Sequence, residues 1–266
     1  MRITLVTYDP GHPLLAATTA LLAPDHHVGT LHPETTPSPG GPLADVYLLK
    51  ARTPRALALA RALERRGARV INSAGATARC QDRTAMAECA RRAGLPFAAT
   101  ETHPALDRLV ARSFAGPVVV KSRYSRRHDL VARVDDAAGL RKLAAEWPTE
   151  PVVVQPYAPN SGWDRKLWMI GGRLFAALRR SELSPSARPA PPFGPADLSP
   201  ELVDLARRVG VAFALDVYGV DVVETRDGVP LIVDVNAFPG ARGQLGAPEA
   251  LAELAVRRAE GAAGAR

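Results

Sequence analysis

Cysteine, lysine and aromatic residues are scarce in this sequence, and each shortage narrows what the chain can be. The two cysteines, Cys80 and Cys89, have a spacing that suits neither a zinc site nor a disulfide framework. We therefore expect both to be packed thiols in one helix, in a reducing compartment. Aromatic residues make up only 5% of the chain, and no aromatic-rich strand motif accompanies the basic residues. Nucleic acid is therefore not an expected partner.

Long apolar runs are also missing. No stretch of the sequence approaches the roughly 20 apolar residues that a membrane-spanning helix needs, so no membrane association is expected. The opening MRITLVTYDPGHP is broken by Asp9-Pro10-Gly11 too early to form a signal peptide. We therefore expect a cytoplasmic protein.

The positive charge of the chain comes almost entirely from arginine. The formal net charge is +7, and lysine accounts for only four of the 34 basic residues. These four lysines are Lys50, Lys121, Lys142 and Lys166. A net positive charge favours anionic ligands such as phosphates and carboxylates.

Strand and helix patterns alternate in the first part of the chain and then give way to paired strands. The alternation up to residue 78 is typical of an open parallel α/β sheet, so we expect an N-terminal domain over 1–78. The remaining 79–266 would form a second region of α+β character, with a proline-rich loop or lid at 184–200. The sequence leaves the oligomeric state open, and a homo-oligomer is one of the alternatives.

Two predicted hairpins carry the polar residues of greatest interest. In LIVDVNAFPG, Asp234 and Asn236 share one face of a strand, about 6.6 Å apart along the chain. Antiparallel pairing across the turn RDG would bring Asp221, in GVDVVE, next to Asp234. Such an all-oxygen cluster suits Mg²⁺, with phosphates supplying further ligands. Spacing alone equally allows Asp234 and Asn236 to cap a strand end and begin a turn.

Basic and polar residues on other predicted strands would complete an anion site. Lys121 ends the apolar strand PVVVK, while Lys166 and Arg179 lie on the two arms of the first hairpin. Gln155 and Tyr157 follow the strand VVV, where a connector can hydrogen-bond a nucleobase. Each of these residues alone could equally be a solvated strand end or part of an interdomain linker.

Taken together, these segments resemble the ATP-grasp superfamily, from about Val70 to Leu254. The resemblance rests on four stretches: INSAGATARCQDRTAMAECARRAGLPFAAT, PVVVKS, VVVQPYAPNSGWDRKLWMIGGRLFAALRRSE, and YGVDVVE with LIVDVNAFPGARG. It implies an ATP-grasp fold preceded by an open parallel α/β pre-ATP-grasp domain. The nucleotide-binding subdomain would span about 112–158, and the metal- and substrate-binding subdomain about 159–266.

The resemblance also implies a role for each matching residue. ATP would be bound by the following residues: Arg83, Lys121, Gln155, Tyr157 and Lys166. Mg²⁺, with Mn²⁺ as an alternative, would be held by Asp221, Asp234 and Asn236. Arg179, together with Lys166, would act in catalysis by stabilising charge on the transferring phosphoryl group. The acceptor substrate would meet Arg180, Pro239, Gly240 and Arg242.

Two features depart from the pattern of the superfamily. The loop after Lys121, SRYSRRHD, contains no glycine where a glycine-rich phosphate loop is usual, although Arg123, Arg126 and Arg127 would supply charge. This loop would contact either ATP or the substrate. Arg83 stands where a lysine is common, which keeps the charge and changes its geometry.

The closest resemblance is to the RimK-type branch, the ribosomal-protein glutamate-ligase-like enzymes. It implies an ATP-dependent ligase in which a carboxylate is phosphorylated and an amine attacks the acylphosphate. The substrates would be small-molecule or peptide carboxylates and amines. The segment IGGRLFAALRRSE and the short chain favour this function.

Two alternatives remain open. The motif DVNAFPG also resembles inositol-trisphosphate kinases, in which a hydroxyl accepts the phosphoryl group. The arginines of the glycine-free loop would suit a phosphorylated substrate in that reaction. A non-catalytic nucleotide-binding protein is the second alternative, and the complete set of Lys121, Asp221, Asp234 and Asn236 argues against it.

Overall fold

The protein is a three-sheet α/β molecule in the computed structural model, which describes residues 1–36, 40–181, 183 and 192–263. Within this part of the chain the strands are β1 (Arg2–Val6), β2 (His27–Leu31), β3 (Val46–Leu49), β4 (Val70–Ile71), β5 (Glu101–His103), β6 (Val118–Ser122), β7 (Val131–Val134), β8 (Val152–Pro156), β9 (Asn160–Ile170), β10 (Arg173–Arg180), β11 (Val217–Thr225) and β12 (Pro230–Ala237). The helices are α1 (Pro13–Leu22), α2 (Pro54–Arg65), α3 (Ala74–Arg79), α4 (Arg83–Arg92), α5 (Ala137–Glu146), α6 (Pro200–Phe213) and α7 (Ala247–Ala263).

The first sheet is parallel, with strand order β2-β1-β3-β4. Helix α2 begins where the sequence predicts, because Pro54 fits its first turn and the Thr53 hydroxyl accepts a hydrogen bond from the amide of Ala56. The predicted open parallel sheet is confirmed. The predicted domain boundary at residue 78 stays a prediction, and this position lies within α3.

The two cysteines do not share one helix, contrary to expectation. Cys80 is the C-cap residue of α3, and Cys89 lies in α4, which begins at Arg83 after a cap by the Asp82 carboxylate. The short helix α3 was not predicted, because six residues carry too little periodicity to be recognised. Both thiols are free in the structure, Cys80 being buried and Cys89 partly buried.

The second and third sheets are antiparallel and contain four strands each. The second has the order β5-β8-β6-β7, and α5 packs beside it after a cap by the Asp136 carboxylate. The third has the order β10-β9-β11-β12, and its hairpins β9–β10 and β11–β12 are those predicted from the sequence. Gly171 and Gly172 form the first hairpin turn at φ values of 58° and 96°, which glycine adopts readily.

The N-terminal sheet and the third sheet share one hydrophobic core. Ile3 and Leu5 of β1 lie in the same buried cluster as Trp168 of β9, Val217 of β11 and Leu251 of α7. The N-terminal unit is therefore fixed against the sheet that carries the predicted metal ligands, rather than attached only through a linker.

A buried side chain reinforces this junction. Asn72, which follows β4, donates from Nδ2 to the carbonyl of Val217 over 2.7 Å. Its Oδ1 accepts from the amides of Asp216, at 2.8 Å, and Val217, at 3.0 Å. These hydrogen bonds satisfy the polar groups that the junction buries.

The predicted prolyl loop at 184–200 lies only partly within the described residues. Residues 184–191 are outside them, and the described remainder contains a 3₁₀ turn at Pro195–Asp197 before α6 begins. The lid hypothesis therefore stays a prediction. Among the described residues, no helix combines the length and apolar character that crossing a bilayer requires.

Candidate active site

A cavity of about 370 Å³ lies between the second and third sheets, and we call it the central cavity. All nine residues predicted to bind nucleotide or metal, or to stabilise the transferring phosphoryl group, line it together. They are Arg83, Lys121, Gln155, Tyr157, Lys166, Arg179, Asp221, Asp234 and Asn236. These residues span most of the chain, so the fold assembles in one place what the sequence distributes over six strands, a helix and a connecting segment.

The acidic side of the central cavity follows from the register of the second hairpin. Asp221 and Asp234 are direct cross-strand partners in the β11–β12 pair, as the turn at RDG predicts. Each carboxylate side chain is 18% exposed. Lys166 is the partner of Asp221 on the other flanking strand, β9, and its ammonium forms an ion pair with the Asp221 carboxylate. Asn236 lies two residues beyond Asp234 and lines the same cavity.

Lys121 is more deeply buried than its predicted position at the end of a strand would suggest. It lies within β6, is 7% exposed, and donates from Nζ to the carbonyl of Val233 over 2.8 Å. Burial lowers the pKa of its ammonium, and the carboxylate of Asp234 opposes this shift. Lys121 therefore places a buried positive charge beside two carboxylates. An anionic ligand in the cavity would provide a further partner for this charge.

Arg83 lines the central cavity but is held by protein groups. Its guanidinium donates to the carbonyl of Ser122 and to the carboxylate of Asp129, both over 2.7 Å. The same group lies 3.5 Å from a carboxylate oxygen of Asp234. Arg83 therefore positions Asp234, and its predicted contact with a nucleotide stays a prediction.

Gln155 and Tyr157 are the two residues that the sequence predicts to border a nucleobase. Gln155 of β8 is buried and donates from Nε2 to the hydroxyl of Thr100 over 3.0 Å. The Tyr157 ring stacks against the guanidinium of Arg133, 4.1 Å from the ring centre. Both residues line the central cavity.

Two of the three arginines of the glycine-free loop, Arg123 and Arg126, are engaged by acids. Arg123 forms a two-point pair with Asp82, at 3.0 and 2.8 Å. Arg126 forms a similar pair with Glu150, at 2.6 and 2.9 Å. Of these two arginines, only Arg126 lines the central cavity. Ion pairs therefore fix the conformation of a loop that lacks glycine.

A second cavity, of about 610 Å³, adjoins the first, and we call it the N-terminal cavity because Lys50 and Arg52 of the N-terminal unit line it. The predicted acceptor residues Pro239, Gly240 and Arg242 also line it. Four residues line both cavities: Arg52, Lys166, Arg179 and Asn236. Arg180, also predicted to bind substrate, is not among the lining residues of either cavity, because it lies on the opposite face of β10 from Arg179.

The sequence patterns did not identify three of the residues that line these cavities. Asp164, on β9, lies in the central cavity, and burial followed by the nearby Asp221 carboxylate raises its pKa to about 6. The i, i+2 spacing of Asp164 and Lys166 was a usable signal, since both face the same side of a strand. Lys50 and Arg52 gave no such signal, because only tertiary packing brings the β3–α2 connection to the third sheet.

The residues of the acidic hairpin fit a hard divalent cation. Asp221 and Asp234 provide carboxylate oxygens and Asn236 an amide oxygen, which is the ligand chemistry of Mg²⁺. Burial raises the pKa of Asp221, so a cation nearby would stabilise its charged form. Within the described residues, no three His, Cys, Asp or Glu side chains are grouped as a self-sufficient metal site.

The sequence is similar to curated proteins that are described as probable alpha-L-glutamate ligases. The chain is 33% identical to a probable alpha-L-glutamate ligase of Xanthomonas campestris pv. campestris over 96 residues. This match covers 34% of the chain and 33% of the relative, so the chain spans about a third of the length of the curated relatives that it matches.

Two solved structures share the fold over nearly the whole chain. The RimK domain ATP-grasp protein of Sphaerobacter thermophilus superposes with a TM-score of 0.74 at 24% identity, covering 96% of this chain and all of the other. The ATP-grasp ligase PsnB, in complex with a minimal precursor, Mg and ADP, gives a TM-score of 0.69 at 17% identity and covers 97% of each chain. A family profile for the RimK-like ATP-grasp domain matches residues 96–247, more than half of the sequence. The chain therefore belongs to the RimK-like ATP-grasp family.

Proposed function

We propose that the protein is an ATP- and Mg²⁺-dependent carboxylate–amine ligase that forms an amide bond through an acylphosphate. The observation that carries this proposal is the junction of the two cavities at Lys166 and Arg179. A phosphate tail in the central cavity and a carboxylate in the N-terminal cavity would meet at these two cations. Relatives described as glutamate ligases support the same reaction class.

ATP would occupy the central cavity along its length. Gln155 and Tyr157 would border the adenine, and Lys121 would bind the phosphates from the floor of the cavity. PsnB, which has a related fold, has a solved structure in complex with Mg and ADP, and this supports the choice of ligands.

Mg²⁺ would be held by Asp221, Asp234 and Asn236, and Mn²⁺ has the same preference for oxygen ligands. A bound divalent cation would neutralise phosphate charge as the phosphoryl group is transferred. Arg83 and Lys166 hold the two carboxylates in place in the absence of the metal.

The reaction would proceed in two displacements. A carboxylate oxygen of the acceptor attacks the γ-phosphorus of ATP, and ADP leaves with the electrons of the broken P–O bond. The amine nitrogen then attacks the carbonyl carbon of the acylphosphate, inorganic phosphate leaves, and the nitrogen loses a proton as the amide forms. Arg179 and Lys166 would stabilise the charge that develops on the transferring group.

A kinase reaction is less well supported by the site. In that alternative, Arg123, Arg126 and Arg127 of the glycine-free loop would suit a phosphorylated substrate. Arg123 and Arg126 are instead held in two-point pairs with Asp82 and Glu150. The loop therefore offers less uncompensated charge than its sequence indicates.

The proposal is tested by trapping the acylphosphate. The full chain is incubated with ATP, Mg²⁺, hydroxylamine, pooled carboxylates and pooled polyol phosphates. Hydroxamates, phosphorylated alcohols, ADP and free phosphate are then measured. We expect a hydroxamate that requires both ATP and one carboxylate, with free phosphate released in equal amount. ADP formed together with a phosphorylated alcohol would identify a kinase, and the absence of any ATP-dependent product would favour the non-catalytic alternative.

A further inference from the structure

The N-terminal cavity contains more positive charge than one carboxylate requires. Five cationic side chains line it: Lys50, Arg52, Lys166, Arg179 and Arg242. No aspartate or glutamate is among the described residues that line it. Lys166, Arg179 and Arg52 also line the central cavity, whereas Lys50 and Arg242 line only the N-terminal cavity. Lys50 and Arg242, together with the neighbouring Arg52, are called the N-terminal cation cluster below.

The position of this cluster is fixed by the backbone. Lys50 directly follows β3, and its amide donates to the carbonyl of Val6 over 3.0 Å. On the opposite wall, Gly240 approaches His12 so closely that a Cβ on the glycine would lie 3.1 Å from the imidazole Nε2. This contact seats the loop that carries Arg242 against the N-terminal unit. The cluster is therefore built by two separate parts of the chain.

The charges of the cluster repel one another in the free protein. Burial lowers the pKa of Lys50 to about 8, and the nearby Arg52 and Arg242 add to this shift, while Asp9 opposes it. Burial, and next the charge of Lys50, also lower the pKa of His12. An anion between these groups would relieve the repulsion and restore the charge of Lys50.

The remaining wall of the cavity is apolar. Trp168, Ala177, Leu178 and Phe238 line it, and Trp168 and Phe238 are largely buried. Such a wall suits the aliphatic segment of a ligand, with its polar groups directed to the two ends.

We propose that the acceptor is a carboxylate that carries a second anionic group, and that the N-terminal cation cluster binds this second group. The carboxylate that is activated lies at Lys166 and Arg179, and the second anion lies at Lys50 and Arg242. The aliphatic part between them contacts the apolar wall. This inference rests on the proposed ligase function, since it assigns one end of the cavity to the reacting carboxylate.

The test compares two small probes of equal length. Glutarate has an anion at each end, and its monoamide, glutaramate, has one anion. Each is titrated calorimetrically into the full chain in the presence of ADP and Mg²⁺. We expect glutarate to bind at least tenfold more tightly, and we expect Lys50→Met and Arg242→Met to abolish that preference. Arg61→Met, an exposed substitution on α2, is the matched control and should retain it.

Two results would overturn the inference. The first is equal or undetectable binding of the two probes to the unaltered protein. The second is a preference for glutarate that survives in both cluster variants, provided that their thermal unfolding matches that of the control. Because these titrations need no turnover, their outcome is separate from that of the hydroxamate experiment, which tests the ligase reaction itself.

Discussion

The two cavities differ in how their charges are balanced. In the central cavity, acids and bases are interleaved: Lys166 is paired with Asp221, and Arg83 lies between Asp129 and Asp234. In the N-terminal cavity, cations line the wall and no acid lies among the described lining residues. A balanced site suits a ligand set that itself contains both a cation and an anion. An unbalanced site suits an anion alone.

The largest expected effect is on folding stability, and it tests the balance of charge in the central cavity. Arg83→Met removes a guanidinium that is 6% exposed and leaves two partly buried carboxylates without their partner. Breaking a buried ion pair in this way costs about 3–5 kcal/mol, and we expect a loss of that size in urea unfolding. A balanced central cavity requires this loss, because its acids depend on protein cations when no metal is bound.

Arg92→Met is the matched control for that measurement. Arg92 forms an exposed pair with Glu88 on the same helix, and such pairs contribute about 0.3–0.5 kcal/mol. Similar losses in the two variants would mean that Arg83 does not stabilise the acids of the central cavity, and the comparison would fail on that side.

The second prediction concerns catalysis. Asn236→Ala removes an amide oxygen from the predicted metal site without removing a charge or a buried apolar group. We expect turnover to fall on the order of 100-fold with an unchanged unfolding midpoint. Asn236→Asp, which retains an oxygen ligand, should recover part of the rate. Unchanged turnover in the alanine variant would remove Asn236 from the metal assignment.

The hairpins that carry these residues could be predicted because their information is local. Alternation along β11 and β12 and the turn at RDG determine which residues face each other, so the pairing of Asp221 with Asp234 follows from the sequence. The short elements α3 and β5 were missed, because neither is long enough to show a period.

The charge partners could not be predicted because they are distant in the sequence. Arg83 meets Asp129 and Asp234 only after the second and third sheets have packed together. Lys50 and Arg52 line the N-terminal cavity because the first and third sheets pack together around one hydrophobic core. Composition indicated that the ligands are anionic, but it could not show which cations already have acidic partners.

The third prediction uses pH to test the unbalanced side. The pKa of Lys50 is about 8 in the folded protein, so its charged form is lost as pH rises through that value. Binding of glutarate to the charged form should therefore weaken above pH 8, by roughly tenfold per pH unit at most. Burial lowers the pKa of His12 from its ordinary value, so this imidazole does not account for a change in binding above pH 8.

The same titrations with Lys50→Met provide the comparison. Without the lysine, the affinity for glutarate should be weak and nearly independent of pH between 7 and 9.5. A decline of equal slope in the variant would assign the titration to another group. It would also show that Lys50 does not contribute its charge to anion binding.

The smallest expected effect comes from Asp9, an acid near the cation cluster. Asp9 raises the pKa of Lys50 and is exposed, so its field at the cluster is largely screened by solvent. Asp9→Asn removes this negative charge, which leaves the cluster with a greater excess of positive charge. We expect glutarate to bind about two- to threefold more tightly at low ionic strength, because an exposed charge contributes only a few tenths of a kcal/mol to about 1 kcal/mol. The gain should disappear in high salt, whereas weaker binding would mean that Asp9 holds the cluster in place rather than opposing its charge.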